Sequence, residues 1–110
     1  MHKGIYERLI EVAREGETIN YAHIAPLANL NMDGQADRNA IGAILGAISK
    51  REHEHGRPLL SAVVVLAGSR YPGKGFFTLA RDLGIYDGAD DLAFWVREVR
   101  RVHEHWAKAE

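Results

Sequence analysis

The chain has 110 residues, 46% of them apolar, and a net charge of −1, which suits one domain with a core of its own and is too short for two. It contains no cysteine, which excludes disulfides, thiolate metal ligands and a cysteine nucleophile and agrees with a reducing compartment. No window approaches the run of about 18 apolar residues that spans a bilayer, and Met1-His2-Lys3-Gly4-Ile5-Tyr6-Glu7 lacks the apolar stretch of a secretion signal, so a cytoplasmic protein without membrane association is expected.

Charge is unevenly spread. Residues 20–75 hold six Lys/Arg against four Asp/Glu, whereas residues 76–110 hold five against seven. A protein that grips duplex DNA alone usually carries a larger basic surplus, because phosphate neutralisation supplies most non-specific affinity. The near-neutral balance leaves room for a second copy or a protein partner that completes the surface.

Ile5, Leu9, Ile10, Val12 and Ala13 recur at helical spacing and predict a first helix over residues 3–15, with Gly16 where a C-terminal cap belongs. Asn20 is placed to cap a short second helix carrying Ile24, Ala25 and Leu27, in which Pro26 predicts a kink or two successive single turns. Residues 29–35 are a turn by composition, and Asp33 or Asp37 is the expected cap of a third helix over residues 36–55. Its buried stripe is Ile41, Ile44, Leu45 and Ile48, with Asn39, Ala43, Gly46, Ala47 and Lys50 mostly on the other side. Gly42 and Gly46 cost helix propensity and suit a place where another backbone or a ligand comes close.

Gly56 and Pro58 end that helix, and residues 59–67 predict a strand whose lack of alternation implies cover on both faces. A loop over 68–75 leads to a short helix over 76–83 that Gly84 ends, then to a turn at Tyr86-Asp87-Gly88. The last helix begins at Asp90 or Asp91 and presents Leu92, Trp95, Val96, Val99, Val102 and Trp106 on one face.

A short helix, a tight connection, a longer helix and a strand follow in the order of a winged helix-turn-helix. The expected fold is therefore a single mainly α domain over 1–110 with a small β element. In that frame Gln35, Arg38, Asn39 and Lys50 have side chains that reach phosphates or base edges, and the bland alternative is a helical hairpin with a solvated polar face. Arg70-Tyr71-Pro72-Gly73-Lys74-Gly75 is a second candidate, since glycines flanking a lysine ahead of a helix let N–H groups approach an anion. Its spacing is not that of a Walker loop, and the bland alternative is a wing turn set by Pro72-Gly73. The pairs His53/His55 and His103/His105 point about 200° apart on a helix, so neither chelates one ion. Asp82, Asp87, Asp90 and Asp91 suit turns and caps better than a metal-dependent nuclease.

Three segments carry a family resemblance. Thr18-Ile19-Asn20-Tyr21-Ala22-His23-Ile24-Ala25, then Arg38-Asn39-Ala40-Ile41-Gly42-Ala43-Ile44-Leu45, then Pro58-Leu59-Leu60-Ser61-Ala62-Val63-Val64 resemble the DNA-binding domain of alkylguanine-DNA alkyltransferases and alkyltransferase-like proteins. That family shows a Tyr-x-x-Ile/Val-Ala element, an Arg-x-Val-Gly-x-Ala/Leu helix and a Pro-Cys-His-Arg-Val-Val or Pro-Trp-His-Arg-Val-Val strand, and the similarity covers roughly residues 17–66. The resemblance implies a winged-helix scaffold with Tyr21 and Arg38 near DNA. Leu59 stands where the family has its reactive cysteine or tryptophan, and Leu60 and Ser61 replace His-Arg, which excludes alkyl transfer and counts against damaged-base recognition in that pocket.

The sequence thus reads as a non-enzymatic nucleic-acid-binding module or small regulator, duplex DNA being the favoured partner. Its contact residues are Tyr21, Gln35, Arg38, Asn39, Lys50, Arg70 and Lys74, with no catalytic residue, metal or cofactor expected. The runner-up is a protein-interaction module, such as an inhibitor or a subunit of a mobile-element, defence or toxin complex. An enzyme built on Ser61 or the histidines comes third. Six large apolar residues on the last helix exceed what so short a chain needs to close its core, and predict a homodimer whose partner buries Trp95 or Trp106.

Overall fold

In the computed structural model, which describes residues 1–108, α-helices enclose a two-stranded parallel sheet. Helix α1 (Lys3–Arg14) opens on His2, whose Nδ1 accepts from the Ile5 N–H at 3.1 Å, and buries Ile5, Leu9, Val12 and Ala13. Strand β1 (Ile19–Asn20) runs directly into α2 (Tyr21–Ile24), capped by the Asn20 side chain, which accepts from His23 N at 3.1 Å. Pro26 has no N–H to donate, and the chain continues past Ile24 as a 3₁₀ turn, Ala25–Ala28, with the proline in its first positions.

Helix α3 (Gln35–Glu54) starts on Gly34 with no side-chain cap, which corrects the expectation for Asp33 and Asp37. Asp37 lies in the first turn of the helix, and its Oδ2 accepts from Asn31 N at 2.9 Å, so the carboxylate closes the preceding loop instead. The helix stops at Gly56, whose φ of +72° is the left-handed conformation that favours glycine.

The strand expected over 59–67 is mostly something else. Leu60–Val63 form a 3₁₀ turn, and only Val64–Val65 (β2) are extended, pairing in parallel with β1 so that Ile19 faces Val64 and Asn20 faces Val65. The cause lies in where the backbone donors go. Leu59 N–H is taken by the buried Glu98 carboxylate at 2.8 Å and Ser61 N–H by Ser49 Oγ at 3.0 Å, so side chains satisfy groups that a neighbouring strand would otherwise need to pair. Residues 58–65 are all buried, as the apolar run requires, and the 3₁₀ turn sits at the centre of the core against α1, α3 and α5. Full burial of Leu59 and Leu60 contributes about 1.5–3 kcal/mol each.

Helix α4 (Lys74–Asp82) starts two residues earlier than the pattern predicts, and α5 (Asp91–Lys108) follows. The buried face of α5 differs from the expected one. Phe94, Glu98, Val102 and Trp106 face the core, Trp95 and Val99 are half-buried, and Leu92 and Val96 are exposed. Trp106 is only 8% exposed in the single chain, so its burial needs no partner subunit. Trp95 donates from Nε1 to the Ala62 carbonyl at 2.9 Å and stacks on Tyr71. Among the described residues no helix is long and apolar enough to cross a membrane.

Candidate nucleic-acid interface

Two helix starts meet on one side of the molecule. At the first turn of α3, the Arg38 guanidinium donates to the Met32 carbonyl at 2.8 Å and to Gln35 Oε1 at 3.0 Å, while Gln35 Nε2 donates to Asn39 Oδ1 at 2.9 Å. The three polar side chains therefore hold one another on an exposed face, and Arg38 has no carboxylate partner among the described residues.

The second start is that of α4, on Gly73. The Tyr21 hydroxyl accepts from Gly73 N at 3.1 Å and fixes this turn against α2. A Cβ at Gly73 would lie 3.0 Å from the same oxygen, so glycine is what allows the approach. Burial pushes the Tyr21 pKa up against the lowering effect of the Gly73 N–H, so the group is a neutral phenol at physiological pH. Its own proton has no acceptor among the described residues. Lys74 and Arg70 are exposed and, among the described residues, likewise lack a carboxylate partner.

Between the two helix starts lies a cavity of about 320 Å³. Its walls are Ile41, Leu45 and Phe76, with Tyr21 and Arg38 among the polar side chains that reach it. Gly42 and Gly46 also line it, and a Cβ added at either would meet nothing within 4 Å, so no neighbouring backbone explains these glycines.

Of the residues expected to contact nucleic acid, Tyr21 and Arg38 line this cavity, and Lys74 lies between Gly73 and Gly75, which also line it. Gln35 and Asn39 flank Arg38, and Arg70 belongs to the loop that leads to α4. Lys50 is not brought in. It lies on α3 about 18 Å from Arg38 by helical rise. The buried Ser49–Ser61 pair escaped the sequence reading as a pair, and the signal that could have found the cavity was the Gly42/Gly46 spacing.

The rival chemistries find little support in the geometry. Ser61 Oγ contacts Ser49 Oγ at 2.6 Å, not a histidine or carboxylate that could act as its base. The histidines serve the backbone or lie apart: His2 caps α1, His55 Nδ1 meets the Arg51 carbonyl, and His103 Nε2 meets the Glu17 carbonyl. Among the described residues no three His, Asp or Glu side chains gather where they could hold a metal. Asp90 accepts from Ala93 N and Asp87 from Ala89 N, so these two serve a cap and a turn, while Asp91 accepts from the Tyr86 hydroxyl. No protein-family model, curated protein or solved structure matches the chain.

Proposed function

We propose that the chain is a non-enzymatic module that binds nucleic acid, duplex DNA foremost, in a winged-helix-like arrangement. The N-terminal half of α3 faces a groove, and the Arg70–Gly75 loop with the start of α4 meets backbone phosphates. One observation carries this reading. The starts of α3 and α4, which have no side-chain cap, border one cavity that Arg38 lines and that Lys74 adjoins between Gly73 and Gly75, and neither cation has a carboxylate partner among the described residues. By contrast α1, α2 and α5 are capped by His2, Asn20 and Asp90. At α4, whose first turn holds no acidic residue, open N–H groups and the helix dipole favour an anion, whereas the first turn of α3 already holds the Asp37 carboxylate and the attraction there falls to Arg38. Phosphates present an anion at every step along a strand.

The whole-chain charge of −1 implies binding that is weak and steeply salt-dependent. Fluorescence anisotropy of labelled duplexes across a salt series tests this. Lys74→Glu should weaken binding alike for all sequences and reduce the slope of log K against log salt by about one or more. Unchanged binding in a folded Arg38→Ala/Lys74→Glu protein refutes the interface. A second reading, a protein partner or a second copy of the chain, is favoured by Leu92 and Val96, 50% and 43% exposed one turn apart on α5.

A further inference from the structure

The cavity between α3 and α4 is lined by Ser61, whose pairing with Ser49 behind it in the core plays no part in nucleic-acid binding. Ser49 is fully buried and Ser61 nearly so. Ser49 Oγ accepts from Ser61 N at 3.0 Å and lies 2.6 Å from Ser61 Oγ. Each hydroxyl has one proton to place. Were Ser61 the donor of the pair, the Ser49 proton would have no acceptor among the described residues inside the core, an unsatisfied group that folding disfavours. The arrangement that satisfies the core has Ser49 donating to Ser61, which leaves the Ser61 proton for the cavity that Ser61 lines.

The glycine wall is a second, independent observation. Neither Gly42 nor Gly46 has a positive φ, and neither is needed for close packing, yet each costs a helix interior about 1 kcal/mol relative to alanine. Their effect is to keep the cavity open along α3. Two larger clefts, of about 440 and 430 Å³, present more polar than apolar surface, whereas the surface of this cavity is mainly apolar.

We propose that this cavity is a binding site for a small, flat, uncharged ring compound that carries one hydrogen-bond acceptor. The Ser61 hydroxyl, at a position where this chain departs from the motif it resembles, donates to that acceptor. The ring lies along the glycine wall between Ile41, Leu45 and Phe76. The proposal holds whether or not the chain binds nucleic acid.

The test is an amide NMR titration of the whole chain with acetophenone and with ethylbenzene, which share a ring and differ in the carbonyl. Acetophenone should shift the Gly42, Gly46, Ser61 and Gly75 amides saturably and bind about 3- to 10-fold tighter than ethylbenzene, as one net hydrogen bond allows. Ser61→Ala should abolish that preference while ethylbenzene still binds. Gly46→Ala should raise thermal stability yet weaken both probes, which separates loss of the site from loss of the fold. Absence of saturable shifts at these amides, a preference that survives Ser61→Ala, or undiminished binding in Gly46→Ala overturns the proposal.

Discussion

The contact between Tyr21 and Gly73 sets where α4 begins relative to α2, and a double-mutant cycle can isolate it. Tyr21→Phe removes the hydroxyl that accepts from Gly73 N, a loss of about 1 kcal/mol for a partly buried hydrogen bond. Gly73→Ala places a Cβ 3.0 Å from that oxygen, close enough that the hydroxyl must give by a few tenths of an ångström, which weakens the same bond. The backbone at Gly73, with φ −70° and ψ 164°, suits alanine, so reduced freedom of the unfolded chain returns about 0.4–1 kcal/mol. Gly73→Ala is therefore near neutral in the natural protein. In the Tyr21→Phe background the clash is gone, because the ring carbon Cζ lies at an ordinary 3.6 Å, and the same substitution should stabilise by about 0.4–1 kcal/mol. The expected coupling is about 1 kcal/mol, read from urea denaturation of the four proteins. Additivity within about 0.3 kcal/mol refutes the clamp and with it the account of how the cavity mouth is held.

Glu98 is 1% exposed, and its carboxylate takes both the Leu59 N–H and the Arg101 guanidinium. Glu98→Ala should cost about 2–4 kcal/mol, since it orphans a buried N–H and opens a void, and it should lower the melting temperature by about 10 °C or more by calorimetry. Arg38→Ala should also speed amide exchange in the 31–34 loop, whose Met32 carbonyl the guanidinium holds, and loop exchange that stays unchanged removes that role. Tyr86 has its phenol pKa pushed up to about 12 by burial and by the Asp91 carboxylate that accepts its proton. Stability from the neutral phenol is thus fully present below pH 10 and is lost as pH rises toward 12, so Tyr86→Phe should flatten that alkaline decline in a pH series of melting curves. Part of the decline should survive in the variant, because the pKa values of Tyr6 and Tyr21 are raised too.

Features that one or two residues decide were legible in the chain. Asn20 caps, Pro26 turns α2 into a 3₁₀ turn, and the glycines at 16, 56 and 84 end helices in the left-handed conformation. What escaped was decided at a distance. The apolar run at 59–67 has every local mark of a strand, yet Glu98 and Ser49 take its N–H groups from other helices, and tertiary hydrogen bonding overrides propensity. The same glutamate hid the core face of α5. A buried carboxylate scores as polar, so the series Phe94, Glu98, Val102 and Trp106 breaks at its second member, and the residue pattern favours Leu92 and Val96 as core in its place. The site divides along the same line. Tyr21 and Arg38 were nameable by residue type, whereas the cavity they share with Gly73, 52 residues beyond Tyr21, exists only because α4 starts against α2. Lys50 fits the chemistry of a contact residue and misses the place, because composition along a helix does not count the rise that carries it away. Glu98 also bears on the cavity. By drawing Leu59 toward α5 it sets the turn in which Ser61 faces Ser49, so loss of the carboxylate should loosen the inner end of the cavity before the outer helices α1 and α3 give way.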